Sequence, residues 1–323
     1  MKHTYFELKT LEKDLGVSAK VLYTLSNQIN RHYRSVEIPK SDGGTRKLSV
    51  PDPLLKSVQR KINEVILSRM DVSSYARAYS YGDSPLKNAS SHVNKKEIFK
   101  LDIRKFFDHV TYPLIKERVF TADRFSESNR ILLSLLCMYD ESLPQGAPTS
   151  PSISNILLYE FDEELGIWCK ERDVSYTRYC DDMTFSANSL TPEEIEHKVS
   201  SMLKQYGLFI NQKKKQYIRG SRRKKVTGIV VNEKPNTPVE YRKKIRQEIF
   251  FINKYGLKDH MERIKCTDSQ GSYLSSLLGR ISYVLSINQS EEFEKYREQI
   301  STLLKEQDDM RIIQKSEETR RLL

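Results

Sequence analysis

The chain has 323 residues, 38% of them hydrophobic and 30% charged, with a formal net charge of +11 and a pI near 9.3. That length buries a sizeable core in one large domain or two to three joined lobes, and no apolar run approaches the roughly 20 residues that span a bilayer. The N-terminus carries acidic residues and no apolar core of a secretion signal, so a cytoplasmic protein with no membrane contact is expected.

The first helix signal is Leu15 to Leu22, read as an ordinary helix start with Ser18 as N-cap rather than as a DNA-reading helix-turn-helix. Glu97 to Arg104 reads as a strand ending at Asp102, with Phe99, Leu101 and Ile103 on its buried face. Ser150-Pro151 opens a helix that carries Ile153, Leu157, Phe161, Leu165 and Trp168 on one face. Ser175 to Ser186 predicts a hairpin whose turn holds Cys180, Asp181 and Asp182. Thr191 to Glu194 reads as a capping box for a helix that stops at Gly207. Leu208 to Asn211 and Val226 to Val231 predict two more strands, and Asn232 to Pro238 a hinge or linker. Thr237-Pro238 starts a helix through Tyr241, Ile245, Ile249 and Ile252 to Gly256; Tyr273 to Leu285 predicts a last core-facing helix. The order of elements predicts an α+β fold, with helices on one face of a largely antiparallel sheet. The expected division is a first domain over 1–232 and a helical region over 233–323.

Cys137, Cys169, Cys180 and Cys266 form no C-x-x-C pair, and the six histidines form no His/Cys cluster; reduced thiols and no zinc are expected. Eight basic residues and no acidic one lie between Gln212 and Lys225, a charge density suited to phosphate contacts, with Arg219, Arg222, Arg223, Lys224 and Lys225 as candidates. Asp181 and Asp182 are adjacent on a turn. Two carboxylates about 4 Å apart repel by roughly 4 kcal/mol at an effective dielectric of about 20. Asp102 ends a separate apolar strand; if the two strands are neighbours, three carboxylates meet. Such hard oxygen ligands suit Mg²⁺, and two such ions stabilise attacking and leaving oxygens in a phosphoryl displacement.

Lys100 to Asp108 (KLDIRKFFD), Leu143 to Pro151 (LPQGAPTSP) and Tyr179 to Asp182 (YCDD) resemble palm motifs A, B and C of reverse transcriptases, in the family's order and spacing. Asn88 to His92 (NASSH) and Val226-Thr227-Gly228 resemble the N-A-x-x-H and V-T-G elements of retron reverse transcriptases. The resemblance implies a right-hand polymerase: fingers, a ferredoxin-like palm of antiparallel sheet backed by helices, and a helical thumb. It implies Asp102, Asp181 and Asp182 as ligands of two Mg²⁺ ions (Mn²⁺ able to substitute), with the Ile103 carbonyl beside them. Phe107 falls where an aromatic blocks a 2′-hydroxyl, although alternation alone puts one of Phe106 and Phe107 in the core. Gln145 and Gly146 would line the incoming nucleotide, Arg46 would grip its triphosphate, and Lys40 is a second candidate there. Lys214 matches a lysine proposed to protonate pyrophosphate, with Lys213 and Lys215 left open. Asn88, His92, Val226, Thr227 and Gly228 would contact RNA.

The implied activity is RNA-directed DNA synthesis from dNTPs on the enzyme's own structured non-coding RNA. Priming from a guanosine 2′-hydroxyl would give a branched RNA–DNA hybrid. A separate effector protein in phage defence is the implied partner, since the sequence ends at Leu323 without a fused one. A diversity-generating or abortive-infection polymerase, or an inactive RNA-binding derivative, are the alternatives.

Overall fold

The computed structural model describes residues 4–39, 43–80 and 82–322, with side chains to residue 307. Contacts divide the chain into two compact units, Met1–Arg222 and Arg223–Leu323. The boundary expected from sequence lies ten residues later, beyond a small hairpin that packs with the second unit.

The first unit opens with α1 (Leu8–Leu15) and α2 (Ala19–Asn27), followed by the hairpin β1 (Tyr33–Pro39) and β2 (Thr45–Pro51) and then α3 (Pro53–Val65). The short α4 (Pro85–Ser90) leads into β3 (Glu97–Asp102). Helices α5 (Phe106–His109), α6 (Tyr112–Arg118), α7 (Glu127–Cys137), α8 (Ser150–Leu157) and α9 (Tyr159–Lys170) follow. The unit closes with β4 (Ser175–Tyr179), β5 (Asp182–Ala187), α10 (Pro192–Lys204) and β6 (Gln216–Arg219). The sheet order is β4-β5-β3-β6, antiparallel throughout.

Register decides what each face of this sheet carries, because residues directly opposite one another share a face. Phe99 lies opposite Phe185, Leu101 opposite Met183, and Tyr176 opposite Phe185. These join the main core with Phe161 and Leu165 of α9. The other face is a row of polar residues: Asp102 opposite Asp182, and Thr184 opposite Thr177. Its far end is closed by α4 and the turn after it. There His92 is fully buried and lies 2.7 Å from both Ser186 Oγ and Thr177 Oγ1.

The second unit begins with β7 (Lys225–Val226) and β8 (Ile229–Val230) and continues through α11 (Val239–Tyr255), α12 (Leu257–Arg263), α13 (Gln270–Ile287) and α14 (Glu291–Leu322). Its separate core gathers Ile245, Ile249, Leu274, Leu277, Ile281 and Phe293.

Several local expectations change. The helix expected across 150–168 is two helices, broken at Leu158, and it starts one residue early; the Ser150 hydroxyl donates to the Pro144 carbonyl at 2.7 Å instead of capping. Thr191 precedes α10 without a side-chain cap bond. Leu208 to Asn211 is no strand but a single bridge between Ile210 and Ile103. The strand expected over 226–231 is folded into the β7–β8 hairpin, because Thr227 and Gly228 both have positive φ (47° and 82°), the signature of a two-residue type I′ turn. The expected linker is also structured: Asn232 Oδ1 accepts from Lys224 N at 2.9 Å, and Asn236 bridges to Val230.

Burial also corrects four expected RNA contacts. Asn88 and His92 are 1% and 0% exposed, Val226 is 0% and Lys224 is 4%. Side chains so enclosed meet protein, not RNA. His92 serves as the polar keystone under the sheet, and Val226 anchors the hairpin.

Burial lowers the His92 pKa to about 3, helped by the charges of Lys100 and Lys95. An unfolded histidine titrates near 6.5. Between these values the unfolded chain binds the extra proton, so stability falls as pH drops below about 6.5. Urea unfolding should therefore weaken more steeply between about pH 7 and pH 4 in the wild type than in His92→Gln; parallel pH profiles would assign the acid sensitivity to other groups.

Candidate active site

The hairpin turn is two residues, Cys180 and Asp181, between β4 and β5. Cys180 takes φ of 60°, a left-handed conformation that a non-glycine residue holds only where its surroundings enforce it. Asp182 begins β5 and pairs in register with Asp102 at the end of β3, while Ile103 N donates to the Asp181 carbonyl at 3.0 Å. The three carboxylates expected from the sequence therefore converge from two adjacent strands and the turn.

Asp102 is nearly buried, at 3% exposed. Its Oδ1 accepts from Asn211 Nδ2 at 2.9 Å and its Oδ2 from Lys214 Nζ at 2.6 Å. Lys214 is the lysine that reaches the carboxylates; Lys215 pairs with Glu196 at 2.9 Å and Lys213 is exposed. Burial, then the negative charges of Asp181 and Asp102, push the Asp182 carboxyl up to about 6; burial and Asp102 raise Asp181. Desolvation pulls the Lys214 ammonium down, but its bond and attraction to Asp102 outweigh this, and the net shift is upward. The turn is thus an electron-rich centre only partly neutralised by the chain's own cation.

A cleft of about 750 Å³ opens on this centre, lined among others by Arg46, Phe107, Tyr79, Gln145, Asp181 and Lys214. Phe106 is 2% exposed and belongs to the core, leaving Phe107 half-buried at the cleft wall. The Gln145 carbonyl accepts from Ser49 N at 2.8 Å, tying the 143–151 loop to β2. Gly146 has φ of 121°, and a Cβ there would lie 2.9 Å from the Ser49 carbonyl oxygen, so this contact requires glycine. Arg46 is exposed on β2 at the cleft rim.

The sequence profile of the family "Reverse transcriptase (RNA-dependent DNA polymerase)" matches residues 38–241. The retron Ec83 reverse transcriptase of Escherichia coli is 33% identical over 213 residues, covering 62% of this chain and 68% of its own length. The chain belongs to the retron reverse transcriptases. The retron Ec86 enzyme of Escherichia coli is 29% identical over 289 residues, covering 87% of this chain and 84% of its own. The retron Mx65 enzyme of Myxococcus xanthus is 30% identical over 255 residues, where the chain spans 60% of that relative's length. Among solved structures, a telomerase from Candida albicans in complex with a telomeric RNA fragment gives a TM-score of 0.47 at 13% identity, covering 84% of this chain and 66% of that one.

For a reverse transcriptase the fold is that of a right-hand polymerase, and the family depends on a divalent cation. The donor set fits such an ion: Asp102, Asp181 and Asp182 supply only hard carboxylate oxygens, and two of them have raised proton affinity through burial first and neighbouring negative charge second. Among the described residues no three His, Cys, Asp or Glu side chains stand at metal-holding distance. No described helix is long and apolar enough to cross a membrane.

Other expected site residues lie elsewhere. Lys40 falls outside the described residues. Arg219 is exposed on β6, Arg223 pairs with Glu240 at 2.7 Å, and Lys225 is half-buried in β7. The basic run is thus divided among exposed, paired and buried positions rather than presenting one uniform face.

Three residues important to the centre carried no sequence signal. Asn211 orients Asp102. The Tyr79 hydroxyl bonds the Cys180 thiol, and Tyr79 itself has φ of 66°. Arg178 is 0% exposed on the core face of β4, where Nε donates to Asp162 Oδ1 at 2.9 Å and one terminal nitrogen donates to the Cys180 carbonyl at 2.9 Å. Tyr176 OH adds a 2.8 Å bond to the same Asp162 oxygen. Breaking a buried pair on one side costs about 3–5 kcal/mol, because the other charge is left enclosed. Arg178→Met should therefore destabilise the protein by that amount in denaturant unfolding, and Asp162→Leu added to it should recover much of the loss. A single variant as stable as wild type would remove the pair from its structural role.

Proposed function

We propose that this chain is a retron polymerase that copies its own structured non-coding RNA into DNA at the Asp102–Asp181–Asp182 centre. The observation that carries the reading is the in-register pairing of Asp102 with Asp182 beside the Cys180–Asp181 turn, inside a cleft that also holds Arg46 and Gln145.

In this reading the three carboxylates and the Ile103 carbonyl would hold two Mg²⁺ ions, replaceable by Mn²⁺, which when bound would supply charge stabilisation for the attacking and leaving oxygens. Arg46 holds the triphosphate of the incoming dNTP through its planar guanidinium. Gln145 and the Gly146 backbone line the nucleotide, and Phe107 blocks a 2′-hydroxyl. The primer oxygen bonds to the α-phosphorus as the bond to pyrophosphate breaks, and Lys214 delivers a proton to the leaving oxygen. The first primer oxygen is a guanosine 2′-hydroxyl of the RNA, which yields a branched RNA–DNA product. Residues 1–232 act as fingers and palm, and 233–323 as an RNA-binding thumb. Exposed Arg219 and Arg222 reach phosphates. The product and polymerase act in the cytoplasm with a separate effector in phage defence.

Asp181→Asn and Asp182→Asn should each lower dNTP incorporation about 100-fold or more, the scale of removing one charge-stabilising group from a preorganised site. RNA binding, measured by filter retention, should persist; near-normal incorporation in both variants would sink the reading. Phe107→Ala should admit ribonucleotides, read as the ratio of rNTP to dNTP incorporation. If that ratio does not move, the sugar gate lies at another residue.

A further inference from the structure

Tyr79 stands against the catalytic turn in a conformation that packing alone does not call for. It is 54% exposed, it lines the cleft with Asp181 and Lys214, and it holds φ of 66°. A bulky aromatic in the left-handed region is rare and persists only where the surrounding structure imposes it. Cys180, which it meets, is left-handed too, with φ of 60°, and is 7% exposed.

One hydrogen-bonded framework sets both residues. Arg178 N donates to the Tyr75 carbonyl at 2.8 Å, Arg77 N donates to the Arg178 carbonyl at 2.7 Å, and Ala76 bridges Arg178 in parallel. The Ala78 carbonyl accepts from Asn155 Nδ2 at 2.7 Å, and Asn155 Oδ1 accepts from the Arg178 guanidinium at 3.3 Å. The segment that delivers Tyr79 is thus laced to β4, the strand that delivers Cys180.

The contacts at the turn run in one direction. The Tyr79 hydroxyl donates to the Cys180 sulfur, and the Cys180 thiol donates to the Asp181 carboxylate. Carboxylate oxygens only accept, and a thiol carries a single proton, so a donor on the sulfur leaves the S–H for Asp181. Each donor in such a chain polarises the next. Arg178 holds the Cys180 carbonyl at 2.9 Å and Ile103 N holds the Asp181 carbonyl at 3.0 Å, but these bonds fix main chain. The Cys180 bond acts on the Asp181 side chain itself, beside one from the Asp181 backbone N–H. Asn211 and Lys214 do the same for Asp102.

We propose that Tyr79 and Cys180 are positioning residues for Asp181: the hydroxyl–thiol–carboxylate chain aims that carboxylate into the cleft. Position 180 then requires a side chain that both accepts and donates a hydrogen bond. The proposal rests on the polymerase reading for what Asp181 does once aimed. The chain of bonds is read without any reaction, so the two fail separately.

The first measurement is the infrared S–H stretch of the free full chain, with the Cys180 band identified by its absence in Cys180→Ser. Tyr79→Phe removes one oxygen and keeps the ring, so its melting curve should match wild type. In that variant the Cys180 band should move up towards the frequency of an unbonded thiol; an unmoved band would overturn the proposal. The second measurement is steady-state dNTP incorporation on a preformed primer–template. Tyr79→Phe and Cys180→Ala should each lower kcat about tenfold, short of the roughly 100-fold that a 1 Å misplacement can cost, with KM for the dNTP little changed. The double variant should lose no more than the worse single one, because both break the same chain. Cys180→Ser keeps a donor and an acceptor and should retain most of kcat, but only while Tyr79 is present. Losses that multiply in the double variant, or a Cys180→Ser no better than Cys180→Ala, would also overturn it.

Discussion

The buried pair between Arg178 and Asp162 is what the catalytic geometry rests on. Arg178 belongs to β4, Asp162 to α9, and the free end of the same guanidinium holds the Cys180 carbonyl. The turn it grips bears Asp181 and adjoins Asp182, whose mutual repulsion and repulsion from Asp102 favour splaying apart. An arginine fully removed from water is costly, and it is sustained because every side of its fork finds an oxygen: two from Asp162, one from Cys180 and one from Asn155. Asn155 in turn donates to the Ala78 carbonyl, next to Tyr79, which bonds the Cys180 thiol from the other side. The left-handed Cys180 is thus held by its carbonyl and by its sulfur.

The two faces of the sheet solve different problems. The core face is aromatic and aliphatic apart from Arg178, and it fixes β4 and β5 on α9. The polar face needs partners for hydroxyls and carboxylates in a place that is half enclosed. At the closed end a neutral His92 spans Thr177 and Ser186. At the open end Asn211 and Lys214 satisfy both oxygens of Asp102 while leaving Asp181 and Asp182 turned to the cleft. Polar groups are sealed at the closed end of this face and left under-neutralised at the end that opens into the cleft.

Much of this centre was legible in the sequence, and the reason is local. Asp102, Asp181, Asp182, Gln145 and the Phe106-Phe107 pair occur in short segments whose chemistry is compact in the chain, and strand alternation then brings them to one edge. Arg178 was illegible because an arginine in an alternating strand reads as solvent-facing, and its partner lies 16 residues away on a helix. Asn211 looked like strand and proved to be the residue where the chain leaves its single bridge to β3. Asn88 and His92 stand out in the sequence as a distinctive element, but pattern carries no information on exposure, and a histidine between two hydroxyls has the same letters as one facing RNA. The Val226-Thr227-Gly228 segment shows the same limit. Its valine is core and its next two residues are a turn, so the element owes its form first to hairpin geometry.

The β1–β2 hairpin gives the first unit its functional polarity. One edge of β2 accepts the 143–151 loop through Ser49 and excludes any side chain at position 146, so that loop is joined directly to the strand that bears Arg46. The base of the same hairpin is pinned by Gln59, which donates to Tyr33 OH and to the Leu136 carbonyl at 2.8 Å each, linking it to α7. A displacement of the base therefore reaches Arg46 and Gln145 through hydrogen-bonded strand rather than through a flexible loop.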